Sequence, residues 1–294
     1  GKRVIVMSRA IGRNMIDDFR VSPERIRLIH RGVDLSDFSV KVPEAAAHKG
    51  FRIINVGRLS PIKGQLEFLK AIYQVRRKIP GLEVTLVGSE EKGKNKYTQI
   101  LEKTIQQLGL QGCVRLLGTR RDIPELLRQA DLLVLSTLVP EAFGRVIVEA
   151  GAVGTPVLST RVGGVLDIID DGIQGRLVNP GDLEGMAEAI LKVFQNPEVA
   201  RTMAARLKEK IEKEFTVDAM VEKTLEVYRE AQQQKRILVM KLGAMGDVIL
   251  VTSSLKMLRE RFPKAHLALL VDRKWAALVS SCPYLDETVS VDRG

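Results

Sequence analysis

Phe51-Arg52-Ile53-Ile54-Asn55-Val56-Gly57-Arg58-Leu59-Ser60-Pro61-Ile62-Lys63-Gly64 is the stretch on which the fold turns. Its first six residues form a mostly apolar run without strict alternation, as expected of a strand covered on both faces. Glycine ends the run, a short loop carries proline and two cations, and helical spacing follows. The same strand–turn–helix unit recurs downstream. Strands are predicted at 51–56, 83–87, 114–117, 132–135 and 156–159, and helices at 65–79, 97–108, 123–129 and 145–153. Gly57, Gly88, Gly118 and Ser136-Thr137 punctuate the strand ends. Successive βα units imply an α/β fold with a doubly wound parallel sheet, in which ligands sit beyond the carboxyl ends of the strands.

Outward from this block, Val4-Ile5-Val6-Met7 reads as an earlier strand, and 182–234 reads as purely helical. A fresh βαβ unit then begins, with a strand at 236–240, a helix at 247–261 and a second strand at 267–271. Gln232-Gln233-Gln234 marks the expected boundary between the two systems. The length of 294 residues favours two domains, or one and a part. The chain starts within a strand-like run and stops just after another, so both ends read as cut and a fragment is expected.

The 45% of hydrophobic residues suffices for a globular core, and with aromatics at 4% that core must be aliphatic. The net charge of +10 attracts anionic partners. Nucleic acid is the least favoured of these, because Arg76-Arg77-Lys78 and Arg120-Arg121 lack interleaved aromatics and read as solvated surface. Cys113 and Cys282 lie far apart, and His30, His48 and His266 are scattered, so no metal site is expected. Without a membrane-spanning run or a signal-peptide pattern, the expected location is the cytoplasm.

Two elements carry chemistry. Arg58 and Lys63 flank a turn ahead of a helix, where two cations and free amides could neutralise a diphosphate. Surface cations at a βα turn would have the same composition. Glu141 and Glu149 stand eight apart in Pro140-Glu141-Ala142-Phe143-Gly144-Arg145-Val146-Ile147-Val148-Glu149. A helix starting near Gly144 would leave the amides of Phe143 and Gly144 free for a phosphate. Carboxylates beside an anion site repel the anion, so they should accept hydrogen bonds from neutral sugar hydroxyls. The plainer alternative is that Glu141 caps the helix and Glu149 is solvated.

With Leu86-Val87-Gly88, Gly154-Thr155-Pro156-Val157 and Gly163-Gly164, this set resembles the carboxyl-terminal, donor-binding domain of the retaining family-4 glycosyltransferases, which have the two-domain GT-B fold. Gly32-Val33-Asp34 resembles that family's hinge segment. The resemblance implies that Arg58 and Lys63 hold the donor diphosphate, Glu149 the ribose and Glu141 the transferred sugar. Phe143 and Gly144 would face the phosphates, and the turn at Gly118, Thr119 and Arg120 would line the nucleobase. It implies a nucleotide sugar as donor, with no metal or cofactor, and electrostatic stabilisation of the leaving diphosphate. The family's acceptor domain is almost wholly absent, so the chain alone is expected to bind donor weakly and to transfer poorly.

The segment Lys241-Leu242-Gly243-Ala244-Met245-Gly246-Asp247, with Phe262-Pro263 and Cys282-Pro283, resembles the start of the inverting family-9 lipopolysaccharide heptosyltransferases. In that family the acid matching Asp247 would be the general base, against the alternative of a helix cap. A dinucleotide site is the rival here, with Asp272 as ribose-binding acid, but only two glycines are present and Asp247 would face the pyrophosphate.

The expected organisation is a remnant of the acceptor domain and hinge at 1–50, a donor domain at 51–215, a helical connection at 216–234, and a partial, incomplete Rossmann-like unit at 235–294. The expected function is glycosyl transfer from a nucleotide sugar to a glycan or lipid-linked acceptor in bacterial lipopolysaccharide or surface-glycan synthesis. The basic charge would suit peripheral contact with the anionic inner membrane face. A same-fold epimerase or phosphorylase and a non-catalytic sugar-nucleotide-binding module remain as alternatives.

Overall fold

Strands of a parallel sheet must bury both faces, and the central strands of this chain divide their side chains residue by residue to do so. The computed structural model describes residues 3–38, 50–91, 95–233 and 236–292. In chain order the first elements are β1 (Val4–Val6), α1 (Arg9–Asp17) and β2 (Ile26–Leu28). The sheet-forming series follows: β3 (Phe51–Val56), α2 (Gln65–Val75), β4 (Leu82–Val87), α3 (Lys96–Gln107), β5 (Val114–Leu116), α4 (Ile123–Arg128), β6 (Leu132–Leu135), α5 (Arg145–Val153), β7 (Val157–Thr160), α6 (Val165–Ile168) and β8 (Arg176–Val178). Helices α7 (Leu183–Gln195), α8 (Pro197–Glu214) and α9 (Val217–Gln233) come next, then β9 (Arg236–Lys241), α10 (Met245–Arg261), β10 (His266–Asp272), α11 (Arg273–Val279) and β11 (Glu287–Val291).

The chain divides into two compact units, residues 3–224 and 225–294, with the division inside α9. The sequence reading placed the junction at Gln232–Gln234, of which Gln234 lies outside the described residues, as do residues 39–49 with His48, whereas the hinge-like Gly32-Val33-Asp34 is described.

In the first unit, six parallel strands run in the order β5-β4-β3-β6-β7-β8. Ile53, Leu132, Val134 and Leu158 enter one core layer with α2, α3 and α7. Their neighbours Ile54, Leu133, Leu135 and Val157 enter the other, with α5 and α8. The chain lays down β3, then β4 and β5 to one side, and then returns to place β6 against the other edge of β3. The switch point of the doubly wound order therefore lies between β3 and β6. A small parallel pair, β1 with β2, accompanies α1.

The second unit has a parallel sheet in the order β11-β10-β9, with a core formed by Val248, Leu255, Leu269, Val271 and Val279. Among the described residues no helix is long and apolar enough to cross a membrane.

Where structure and expectation differ, local chemistry gives the reason. Helix α2 ends at Val75 rather than 79. Pro80 restricts the residue before it, and a Lys78 amide bond to the Val75 carbonyl closes the turn early. Strand β8 escaped the sequence reading because three residues between turn-forming segments carry no readable period.

Gly64 and Gly154 both adopt left-handed backbone, at φ 66° and 81°. A Cβ on Gly64 would also collide with the Ser136 carbonyl, whereas none of the surrounding atoms lies near one on Gly154. Gly154→Ala should cost about 1 kcal/mol from backbone strain, and Gly64→Ala at least twice that. Calorimetric melting of the two variants checks the order.

Candidate functional site

The loop between β3 and α2 is fastened on both sides. On one side Gly57 donates to the Val87 carbonyl at 2.9 Å and Leu59 to that of Ser89 at 3.0 Å. On the other, Leu138 donates to the Ile62 carbonyl at 2.9 Å and the Ser136 hydroxyl to that of Lys63 at 2.9 Å. Gln65, fully buried, donates from Nε2 to the Arg58 carbonyl at 3.0 Å. Below the loop, Asn55 of β3 reaches across the switch point, its Nδ2 donating to the Val134 carbonyl at 2.8 Å and to Ser136 Oγ at 3.2 Å. Buried donors paired in this way hold a loop in one place.

That placement brings Lys63, which follows β3, onto Glu141, which follows β6. Lys63 Nζ forms an ion pair with Glu141 Oε2, between residues 78 apart in sequence. Thr137 Oγ1 donates to the same oxygen at 3.3 Å. Just beyond, α5 opens at Gly144 with no side-chain cap, so the rival reading of Glu141 as the helix cap does not hold. The Gly164 amide donates to the Glu141 carbonyl at 2.7 Å, packing the glycine pair of the 163–164 loop against this turn.

Glu149, one turn into α5, is also not solvated: its side chain is 13% exposed and pairs with Arg145 at 2.8 Å. Burial pushes its carboxyl above the ordinary value, and the Arg145 cation opposes that only in part. Glu149, Arg145 and Phe143 line a cavity of about 590 Å³ together with Arg31, Asp34, Arg121 and Glu125. The Phe143 ring is buried, in an aromatic group with His30 and Phe215.

Arg58 stays at the surface, paired with Glu91 at 3.2 Å. At the end of β5, the Gly118 carbonyl accepts from the Gly88 amide at 2.9 Å, and Thr119 and Ser89 share a hydroxyl bond at 2.8 Å. Arg120 folds back onto Asp122, donating from Nε at 2.8 Å.

The sequence reading gave no site role to Asn55, Gln65, Ser136 and Thr137, the last two being read only as the turn signal that ends a strand. It also missed Asp167, a buried acid that accepts from the Arg9 amide at 2.7 Å at the start of α1. None of these carried a spacing signal.

In the second unit, Asp247 lies in the first turn of α10 and pairs with Lys241 at 2.9 Å, while the N-cap position is Ala244 and makes no side-chain cap. Asp272 accepts from the Lys274 amide at 3.2 Å and caps α11. That cap and its burial commit one oxygen of the acid to the fold, which weighs against a ribose there.

A sequence profile of the glycosyl transferases group 1 matches residues 39–213, more than half of the chain. A D-inositol 3-phosphate glycosyltransferase from Salinispora tropica is 29% identical over 254 residues, covering 80% of this chain and 52% of its own. A trehalose synthase from Pyrococcus horikoshii is 31% identical over 180 residues, covering 60% of this chain and 43% of its own. Among solved structures, Anabaena Alr3699/HepE in complex with UDP and glucose superposes with a TM-score of 0.73 at 28% identity, covering 78% of this chain and 64% of that one. The chain thus spans about half the length of the curated relatives it matches.

Glu149 has a raised carboxyl pKa in the folded state, so folding favours its protonated form. That contribution is complete below the unfolded pKa and is lost as pH rises through the raised folded value. Glu149→Gln removes the loss. The melting temperature of the variant relative to the parent should therefore increase between about pH 4 and about pH 7. A difference that stays flat or falls across that range contradicts the assignment.

Proposed function

This chain belongs to the glycosyl transferases group 1 family, and from that premise we propose that residues 3–224 bind a nucleoside-diphosphate sugar for transfer with retention at the anomeric carbon. The observation that carries the reading is the Lys63–Glu141 pair, which spans the β3/β6 switch point beside the uncapped start of α5. In an open α/β sheet that crevice is where ligands bind, and a helix start favours an anion. Lys63 and Arg58 neutralise the diphosphate, with the amides at Phe143 and Gly144 as further donors. Glu149 accepts from the ribose in the 590 Å³ cavity, and Glu141 accepts from the transferred sugar. The turn at Gly118 and Arg120 borders the nucleobase. UDP and glucose, bound by the Anabaena neighbour, are the first donor components to try.

The chemistry is electrostatic. The leaving diphosphate gains negative charge as its bond to the sugar breaks, and fixed cations stabilise that charge more than the ground state. No metal or cofactor takes part in this proposal. The acceptor is a hydroxyl of a glycan or lipid-linked saccharide of a bacterial surface, lipopolysaccharide among them. The net charge of +10 supports peripheral contact with an anionic membrane face, which in this reading is the cytoplasmic one.

For the second unit we propose the family-9 reading, with Asp247 as general base toward an acceptor hydroxyl. Its support is an acid that is half exposed, held by Lys241 and uncommitted to a helix cap.

A thermal-shift screen of UDP, GDP, ADP and CDP should raise the melting temperature of the chain with one of them. Lys63→Ala should weaken that nucleotide by about tenfold or more, and Glu149→Ala similarly, whereas EDTA should change nothing. Stabilisation by none of the four, or by one of them undiminished in both variants, removes the proposal. In the protein that carries this chain, Asp247→Asn should slow transfer by the second unit at least about a hundredfold while leaving nucleotide binding by residues 3–224 intact. An unchanged rate excludes the base.

A further inference from the structure

Glu141 is held at one oxygen by two donors of different character. Lys63 contributes a mobile ammonium, a point charge on a flexible stem. Thr137 contributes a hydroxyl from a residue that is 1% exposed and stands two places after the end of β6. The Thr137 backbone is itself pinned, because its carbonyl accepts from Thr160 Oγ1 at 2.6 Å, at the end of the neighbouring β7. Glu141 Oε1 accepts no hydrogen bond among the described residues.

These two donors respond differently to an arriving diphosphate. A group with two negative charges competes for the Lys63 ammonium against a single carboxylate, and the flexible stem lets the ammonium turn. The Thr137 hydroxyl gains nothing comparable by turning, since β-branching restricts its side chain and its backbone is fixed on both sides. Without a second donor, Glu141 would lose its orientation when Lys63 leaves, just when the sugar needs an acceptor of defined direction.

We propose that Thr137 is a positioning residue that keeps Glu141 Oε2 anchored when Lys63 turns to the diphosphate, so that Oε1 remains aimed at a hydroxyl of the donor sugar. This rests on the roles given to Lys63 and Glu141 above. It assigns Thr137 to recognition of the sugar and not of the nucleotide, which separates it from a residue that only supports the loop.

The experiment is calorimetric titration of the 294-residue chain with UDP, GDP, ADP and CDP, each alone and as its glucose conjugate. For the base that binds, the parent chain should prefer the conjugate over the free diphosphate. Thr137→Val, which leaves the carbonyl bond to Thr160 in place, should reduce affinity for the conjugate by about tenfold and for the free diphosphate by less than about twofold. Thr137→Ser should restore the preference, and Thr137→Ala provides a second deletion should the valine variant not fold. Equal loss for both ligands would show a merely structural role and overturn the proposal. So would a preference retained in the deletion variants but abolished by Glu141→Gln, which would leave the Glu141 assignment standing. A parent chain that gains nothing from the sugar would remove that assignment and this one together. Binding of none of the eight compounds would remove the whole site.

Discussion

The candidate site depends on the contact of Lys63 with Glu141 across the β3/β6 switch point. The contact exists because the chain fills one half of the sheet before returning to β3 for the other, so that the loops after β3 and β6 leave the sheet side by side. Strand burial on both faces fixes the two strands, and the Asn55 amide ties β3 to β6 just below the loops. Gly64 and Ser136 then bring the loops within contact, at a spot where only a residue without a side chain fits. Sheet order, strand packing and one glycine thus act together to seat a cation and a carboxylate 78 residues apart.

A second regularity concerns the other charges at this edge. Arg58 is paired with Glu91, Arg145 with Glu149 and Arg120 with Asp122, so several cations here have an acid beside them. Pairs as exposed as those of Arg58 and Arg120 are worth at most about 1 kcal/mol each. They keep the edge electrically quiet without locking it, and a ligand with two charges can displace them. Glu149 stands apart, since its carboxyl is buried and costs stability when ionised. Such a cost is common where a group serves a ligand rather than the fold.

Much of the fold was legible in the sequence because its signal is local. The runs at Phe51–Val56 and Leu132–Leu135 end as strands where their apolar residues end, and the helix at Arg145–Val153 lies between two glycines that adopt left-handed backbone. Short elements such as β8 and α6 were not legible, having too few residues to show a period. At the site, the types and spacing of Lys63, Glu141 and Glu149 could be read, but their partners could not. Nothing in the spacing says that Lys63 meets Glu141 rather than solvent, or that Arg58 takes Glu91, whereas the i,i+4 spacing of Arg145 and Glu149 within the helix read at 145–153 does permit that pair. The site roles of Asn55, Gln65, Ser136 and Thr137 were invisible for a related reason. Their role depends on burial and on which loop lies opposite, both properties of the assembled sheet.

A crystal structure of the chain with the nucleoside diphosphate that stabilises it would show whether these residues form one donor site. The expected density places the diphosphate against Lys63, Arg58 and the start of α5, the ribose hydroxyls on Glu149, and Lys63 drawn away from Glu141. A nucleotide bound elsewhere, or bound with the Lys63–Glu141 pair intact and Glu149 untouched, would contradict it.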